Sequence, residues 1–335
     1  MLFSIIIPIY NAKEYMHRCL GSVLPQKSCE AEIILVDDGS TDGSSELCDE
    51  YAKHDDRIRV IHKPNGGLVS ARNTGIKAAR GDYILYIDDD DWVAPNWLET
   101  IHSCITSAPE KPDLVIFGSM RVHSDRKRVH LITAEAGFYD RARLEKEIFP
   151  RLVSDPELYI EDAVFLPASW NRAFKRELLE EHHCFDEGIS LGEDTAYVFE
   201  CVMNSNAVVI CKDVLYFYNK LNEGSITSKY DTARIRKRLR LFQYIESRKW
   251  TKDPLIVPQM NDFYASRIIY DITGTYLSSS TPAKTARHLK KELKETQILK
   301  YAHVSQLPLR PALVILMLKL GLCRFVLWAI KRFYK

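Results

Sequence analysis

Short apolar runs alternate with helix-period segments over the first hundred residues. Phe3-Ser4-Ile5-Ile6-Ile7-Pro8-Ile9, Ile33-Ile34-Leu35-Val36 and Tyr83-Ile84-Leu85-Tyr86-Ile87 are almost entirely apolar, as strands covered on both faces must be. Between the second and third of these, Arg57 to His62 alternates charged and apolar side chains and reads as one more strand. Helical periodicity fills the gaps at about Lys13 to Val23, Ser44 to Lys53 and Val69 to Arg80. Ser40, Thr41 and Asp42 can cap the second helix, and Asn65-Gly66-Gly67 makes a turn before the third. This alternation predicts an α/β fold with a mostly parallel central sheet and flanking helices.

Beyond residue 110 the rhythm loosens. Asp113 to Gly118 reads as a strand, Trp170 to Glu181 and Asp194 to Asn204 as helices, and Val208 to Tyr218 as strand-rich. From about Asp231 the chain reads as mainly helical and basic, with Arg234, Arg236, Lys237, Arg238 and Arg240 close together. The expected organisation is a region over 1–230, divided near residue 110, followed by a helical C-terminal extension over 231–335.

Composition removes several classes. The 335 residues are 46% apolar, enough for a full core, and a net charge of +1 gives no global reason to bind nucleic acid. Eight cysteines never fall in a C-x-x-C pair; with no basic residue before an apolar run that Pro8 breaks, no secretory leader is expected, and free thiols in a reducing cytoplasm are expected with it. No H-E-x-x-H is present, which leaves a zinc enzyme unsupported.

The acidic residues sit at informative places. In open parallel sheets, ligands bind beyond the carboxyl ends of the strands. Asp37-Asp38 and Asp88-Asp89-Asp90-Asp91 directly follow two of the predicted strands. Carboxylates gathered there repel one another and any diphosphate unless a cation intervenes. Mg²⁺ and Mn²⁺ take oxygen ligands, commonly one or two carboxylates plus phosphate and water. Asp88-x-Asp90 suits that use, with one carboxylate on the metal and another on a ribose hydroxyl or metal-bound water. Asp37-Asp38 can accept from a base N–H or a ribose hydroxyl, although the same segment also suits an ordinary helix cap. Glu193 and Asp194 open an otherwise apolar helix, whose dipole favours their ionised forms. An ionised carboxylate beside an acceptor hydroxyl is what a general base requires, while periodicity alone is equally content with simple capping.

Taken together, the motifs resemble the family 2 glycosyltransferases of GT-A fold, in particular bacterial enzymes that assemble surface polysaccharides. The resemblance rests on Ser4 to Asn11, Val36 to Gly43, Asn65-Gly66-Gly67 through Ala71-Arg72-Asn73, Tyr86 to Asp91, and Gly192-Glu193-Asp194. Trp170 to Arg176 and Gly224-Ser225-Ile226-Thr227 also match, so it covers about residues 3–230. It implies that Pro8, Tyr10, Asn11 and Asp38 surround the nucleotide, with Arg72 nearby and Asp89 facing the ribose or donor sugar. Asp88 and Asp90 would hold Mn²⁺ or Mg²⁺, Asp194 would be the catalytic base supported by Glu193, and Trp170 would touch the acceptor, with plain core packing as its alternative. The middle position of the metal motif is usually small or neutral, and Asp89 departs from that pattern. The implied reaction is inverting transfer of a hexose or N-acetylhexosamine from a UDP-sugar to a saccharide, with a polyprenyl-diphosphate-linked acceptor expected.

Three rival readings fit the sequence less well. A nicotinamide dehydrogenase needs a glycine-rich turn where Asn11-Ala12-Lys13-Glu14 stands. A sugar-nucleotide pyrophosphorylase needs a glycine-rich basic N-terminal loop, also missing. A non-catalytic sugar-nucleotide-binding protein would have little use for both Asp90 and Asp194.

The tail carries a separate signal. Residues 310–335 hold six basic residues and no acid, around Ala312 to Leu318 and Phe325 to Ile330. Neither apolar stretch reaches the roughly 20 residues of a spanning helix. Arg324, Lys331 and Lys335 share one helical face, with Phe325 and Trp328 placed for a headgroup boundary. The expectation is peripheral attachment to an anionic membrane, on the cytoplasmic face. Packing on the catalytic region or on a homodimer partner is the alternative.

Overall fold

The computed structural model describes residues 1–124, 126–130, 132–154, 167–220, 231, 233–276 and 282–333. The chain divides into two compact units, Met1–Phe149 with Glu161–Asn222, and Pro150–Ile160 with Glu223–Lys335. The boundary expected near residue 230 and the Gly224 to Thr227 motif lie outside the described residues.

Among the described residues, the first unit is built on a ten-stranded sheet. In chain order its strands are β1 (Leu2–Ile9), β2 (Glu30–Asp37), β3 (Ile58–His62), β4 (Tyr83–Tyr86), β5 (Trp92–Val93), β6 (Leu114–Val122), β7 (Lys127–His130), β8 (Gly137–Asp140), β9 (Arg172–Lys175) and β10 (Ala207–Asn219). They lie in the order β3-β2-β1-β4-β9-β6-β10-β5, with β7 beside β6 and β8 beside β10. The first four are mutually parallel. Helices α1 (Lys13–Val23), α2 (Ser44–His54), α3 (Leu68–Ala78) and α4 (Trp97–Thr106) alternate with this part of the sheet.

Strand alternation explains why both faces are covered. Ile5, Ile7 and Ile9 join Met16, Leu20 and Val23 of α1 and Trp97, Leu98 and Ile101 of α4 in one core. Ile6 points the other way, toward α3. A Cβ on Gly75 of α3 would stand 2.4 Å from Ile6 Cγ2. The missing side chain lets helix and sheet approach that closely.

Later elements are a short turn α5 (Arg141–Arg143), α6 (Arg176–His182) and α7 (Glu193–Asn204). Here one expectation fails. The helix read over Trp170 to Glu181 is instead strand β9 followed by α6. Ala173 pairs with Leu85 of β4 and with Val115 of β6, both antiparallel. The slot between two buried strands decides the matter, since Arg172 to Lys175 carries no β-branched residue to announce it. Inserting β9 also makes the sheet mixed beyond β4.

The second unit, as described, holds α8 (Arg234–Ser247), α9 (Val257–Tyr276), α10 (Pro282–Thr296), α11 (Leu309–Lys319) and α12 (Cys323–Phe333). The basic run on α8 is partly structural. Arg234 and Arg238 donate to the fully buried Asp271 of α9 at 2.8 and 2.7 Å.

Candidate active site

The parallel register brings four strand ends to one edge. Ile9 of β1 pairs with Asp37 of β2, and Asp37 with His62 of β3. On the other side Ile6 pairs with Tyr86 of β4, so Asp88 follows at the same edge. Pro8 is buried inside β1 beside Val36 and shapes the strand end from within. Tyr10 emerges just beyond it with its side chain half exposed.

The loops after β1 and β2 lock together. Asn11 takes a left-handed backbone, φ 53°, which asparagine tolerates better than most residues. Its Oδ1 accepts from Thr41 N–H at 2.8 Å, and its own N–H donates to Ser40 Oγ at 3.1 Å. Asp37 accepts from Ser40 N–H, Ser45 Oγ and the His62 ring. Burial works against its charge, but these hydrogen bonds outweigh it and bring its pKa down to about 2. Asp38 accepts from Lys63 Nζ at 2.5 Å, Gly66 N–H at 2.9 Å and Gly67 N–H at 2.7 Å. It therefore organises the glycine turn that starts α3. Gly67, at φ 85°, is a position where a side chain would be strained.

Arg72, on α3, is the centre of the arrangement. Its guanidinium lies between the two acidic motifs. It donates to Asp88 Oδ1 at 3.0 Å and to Asp194 Oδ1 at 2.6 Å, with Glu193 at 3.7 Å. Only 4% of the side chain is exposed, and Tyr86 lies under it at 5.4 Å. One cation thus holds the acid that ends β4 and the acids that open α7. Gly192, with φ 76°, turns the chain into that helix.

The aspartate run divides its labour. Desolvation, reinforced by Asp194 and Asp90, pushes Asp88 up to about 6 despite Arg72. Desolvation likewise pushes Asp89 up to about 8, although its carboxylate accepts the Tyr10 N–H at 3.0 Å. Glu193 is raised to about 7 by desolvation and by Asp194. The ionised forms of these carboxyls are disfavoured despite Arg72, and added positive charge would favour them. The Asp90 backbone carbonyl accepts from Arg18 at 2.9 Å, and Arg18 covers the Trp92 ring.

Asp91 faces the interior. Fully buried, it accepts from Tyr216 Oη at 2.6 Å and Asn219 N–H at 2.7 Å. Tyr216 Oη in turn accepts from Asp88 N–H at 3.1 Å. Tyr216 therefore clamps the whole run to β10. Trp170 is buried against the same strand, stacked on Tyr216 at 4.5 Å and on Tyr218 at 5.6 Å between ring centres. Neither Tyr216 nor Arg18 carries any local sequence signal, because each meets its partner across a long stretch of chain.

The donor atoms fit a divalent cation of the Mg²⁺ or Mn²⁺ type. They are hard carboxylate oxygens at a strand end, whose ionised forms a cation would favour. Among the described residues no group of three or more histidine, cysteine or acidic side chains is arranged to hold a metal by itself. Ions of this kind commonly complete their shell with phosphate oxygens and water.

Residues 4–182 match the family Glycosyl transferase family 2, and the chain belongs to that family. It is 36% identical over 232 residues to an uncharacterized glycosyltransferase of Bacillus subtilis, EpsJ, covering 68% of this chain and 63% of that one. A hyaluronan synthase of Pasteurella multocida is 40% identical over 98 residues, 29% of this chain and 10% of the synthase. The chain thus spans less than two thirds of either relative. Among solved structures, Staphylococcus aureus TarS 1-349 in complex with UDP-GlcNAc superposes with a TM-score of 0.68 at 18% identity, covering 100% of this chain and 91% of TarS 1-349. The fold is GT-A.

Proposed function

We propose that this glycosyltransferase transfers a hexose or N-acetylhexosamine from a UDP-sugar to a saccharide acceptor, with inversion, during polysaccharide assembly. The observation that carries the reading is Arg72, whose guanidinium hydrogen-bonds to both Asp88 and Asp194. The strand-end acids suited to a donor diphosphate and the helix-start acid suited to a base therefore border one point.

Tyr10, half exposed beyond β1, offers an aromatic face to the nucleotide base, while Asn11 and Asp38 fix the loops around it. Asp88 and Asp90 would hold Mn²⁺ or Mg²⁺, and such an ion supplies charge neutralisation for the departing diphosphate. Asp89, tied to the Tyr10 backbone, faces the ribose or donor sugar. Asp194 takes the proton from the acceptor hydroxyl as that oxygen attacks the anomeric carbon. Arg72 keeps Asp194 oriented, and Glu193 supports it. Attack from the face opposite the leaving group inverts the anomeric centre in one displacement. The acceptor is proposed to be a lipid-diphosphate-linked saccharide, with Trp170 shaping that side of the site through its stack on Tyr216.

The test is product analysis. Nucleotide sugars are screened with Mn²⁺ and a panel of saccharide acceptors, and the anomeric proton of the product is read by NMR. An inverted glycoside formed from a UDP-sugar supports the reading. A retained configuration overturns the single displacement.

A further inference from the structure

The exposed apolar side chains of α11 and α12 fall on defined faces. Leu309, Leu313, Leu316 and Leu320 recur at helical spacing and share an arc of roughly 60° on α11 and its end; all four are exposed, Leu309 by 76%. After the turn at Gly321, Leu322, Phe325 and Trp328 are exposed as well, with Trp328 at 58%. Phe325 and Trp328 touch, ring centres 5.6 Å apart. The opposite faces are spent on packing: Ile315 and Leu318 of α11 and Cys323, Val326 and Leu327 of α12 are buried. These helices thus have an apolar side facing inward and a second one facing out.

Charge selects the occupant of the outer side. From Thr296 to Lys335 the sequence contains seven lysines and arginines and no acid. Arg310, Arg324 and Arg332 are exposed among the apolar rows. Arg324, Trp328, Arg332 and Phe325 fall within roughly 100° of one another on α12. A protein partner with an apolar patch would not need that one-sided charge, whereas a sheet of acyl chains under anionic headgroups satisfies both features. No described helix is long and apolar enough to cross a membrane.

We infer that α11 and α12 form an interfacial surface that lies on an anionic lipid bilayer, leucine and aromatic side chains in the acyl boundary and arginines at the headgroups. Lys319 is excluded from that role, because its Nζ donates to Ala302 O at 2.7 Å and pins α11 to its own unit. The surface belongs to the second unit and the carboxylates to the first, so the inference does not rest on the proposed transfer reaction.

The experiment is flotation of the full chain with phosphatidylcholine vesicles and with vesicles containing phosphatidylglycerol, beside the exposed-residue variants Leu316→Ser/Trp328→Ser and Arg324→Glu/Arg332→Glu. The wild type is expected to float with anionic vesicles only, and to be released by raised salt. Each double variant should lose at least about tenfold in partitioning, because each removes either apolar burial or headgroup attraction. Circular dichroism and melting confirm that the variants stay folded; should either not, Leu313→Ser with Leu320→Ser replaces it. Absence of flotation, equal flotation of variants and wild type, or a lipid-free dimer that the Leu316/Trp328 variant disrupts would each overturn the assignment.

Discussion

Arg72 and Asp194, 122 positions apart in the chain, meet at 2.6 Å in a buried ion pair. Because the same guanidinium also reaches Asp88, the pair couples two motifs that share no strand or helix. Removing Arg72 would leave neighbouring carboxylates facing one another in a desolvated cleft. Breaking one side of a buried pair typically costs about 3–5 kcal/mol. Arg72→Met is expected to lower the melting temperature and to reduce transfer at least about a hundredfold. Arg72→Lys keeps the charge but lacks the planar fork that spans two carboxylates, so it should recover stability more than turnover. A variant with unchanged melting and turnover would remove Arg72 from the centre of the site.

Tyr216 positions the aspartate run through its hydroxyl alone. Tyr216→Phe deletes the donor to Asp91 and the acceptor for the Asp88 N–H while keeping the ring stack on Trp170. Leaving such groups unsatisfied costs about 1–3 kcal/mol. Thermal denaturation should show that loss, and calorimetry should show weaker UDP binding. Unaltered binding would mean that the run holds its place without this clamp.

Much of the frame was legible in the sequence, and for a physical reason. The first four strands are buried on both faces and read as continuous apolar runs, and acids placed directly after such runs had to lie at one sheet edge. The strand β9 was not legible, because Arg172 to Lys175 is extended only by virtue of its neighbours Leu85 and Val115. The bridging place of Arg72 escaped notice similarly. A motif assigns it to a helix, but only the packed sheet brings α7 across to it. Asp91 looked like one more member of an acidic run, and its burial depends on Tyr216 and Asn219 of β10, 125 and 128 residues away.

The Asp37–His62 contact gives the stability a pH signature. Hydrogen bonds to Asp37 and Asp49 hold His62 above its ordinary value of 6.5. Its contribution is therefore complete below about pH 6.5 and disappears as pH rises through the higher folded value. Asp37 has the opposite sign, since its folded value is lowered to about 2. That contribution is present above the usual carboxylate value and is lost as pH falls through about 2. In urea denaturation, the stability gap between wild type and His62→Gln should be widest near pH 6 and narrow as pH rises through the raised folded value. A gap independent of pH would contradict the pairing.

Donor binding should depend on a divalent ion, because the strand-end carboxylates otherwise repel a diphosphate. Calorimetric titration of UDP with Mn²⁺ and then with chelator is expected to show strong loss of affinity in the second case. Asp90→Ala should mimic the chelator even when Mn²⁺ is present. Equal affinity under both conditions would remove the metal from the mechanism.

The most direct test of the account is Asp194→Asn, assayed for transfer and for UDP binding on one preparation. Asparagine keeps the shape and a hydrogen bond to Arg72 but cannot take the acceptor proton. The account predicts UDP affinity within about threefold of wild type and a kcat lower by about 10²–10⁴-fold, the usual cost of losing a general base. Near wild-type turnover in Asp194→Asn, with Glu193→Gln inactive, would contradict it and move the base to the neighbouring residue.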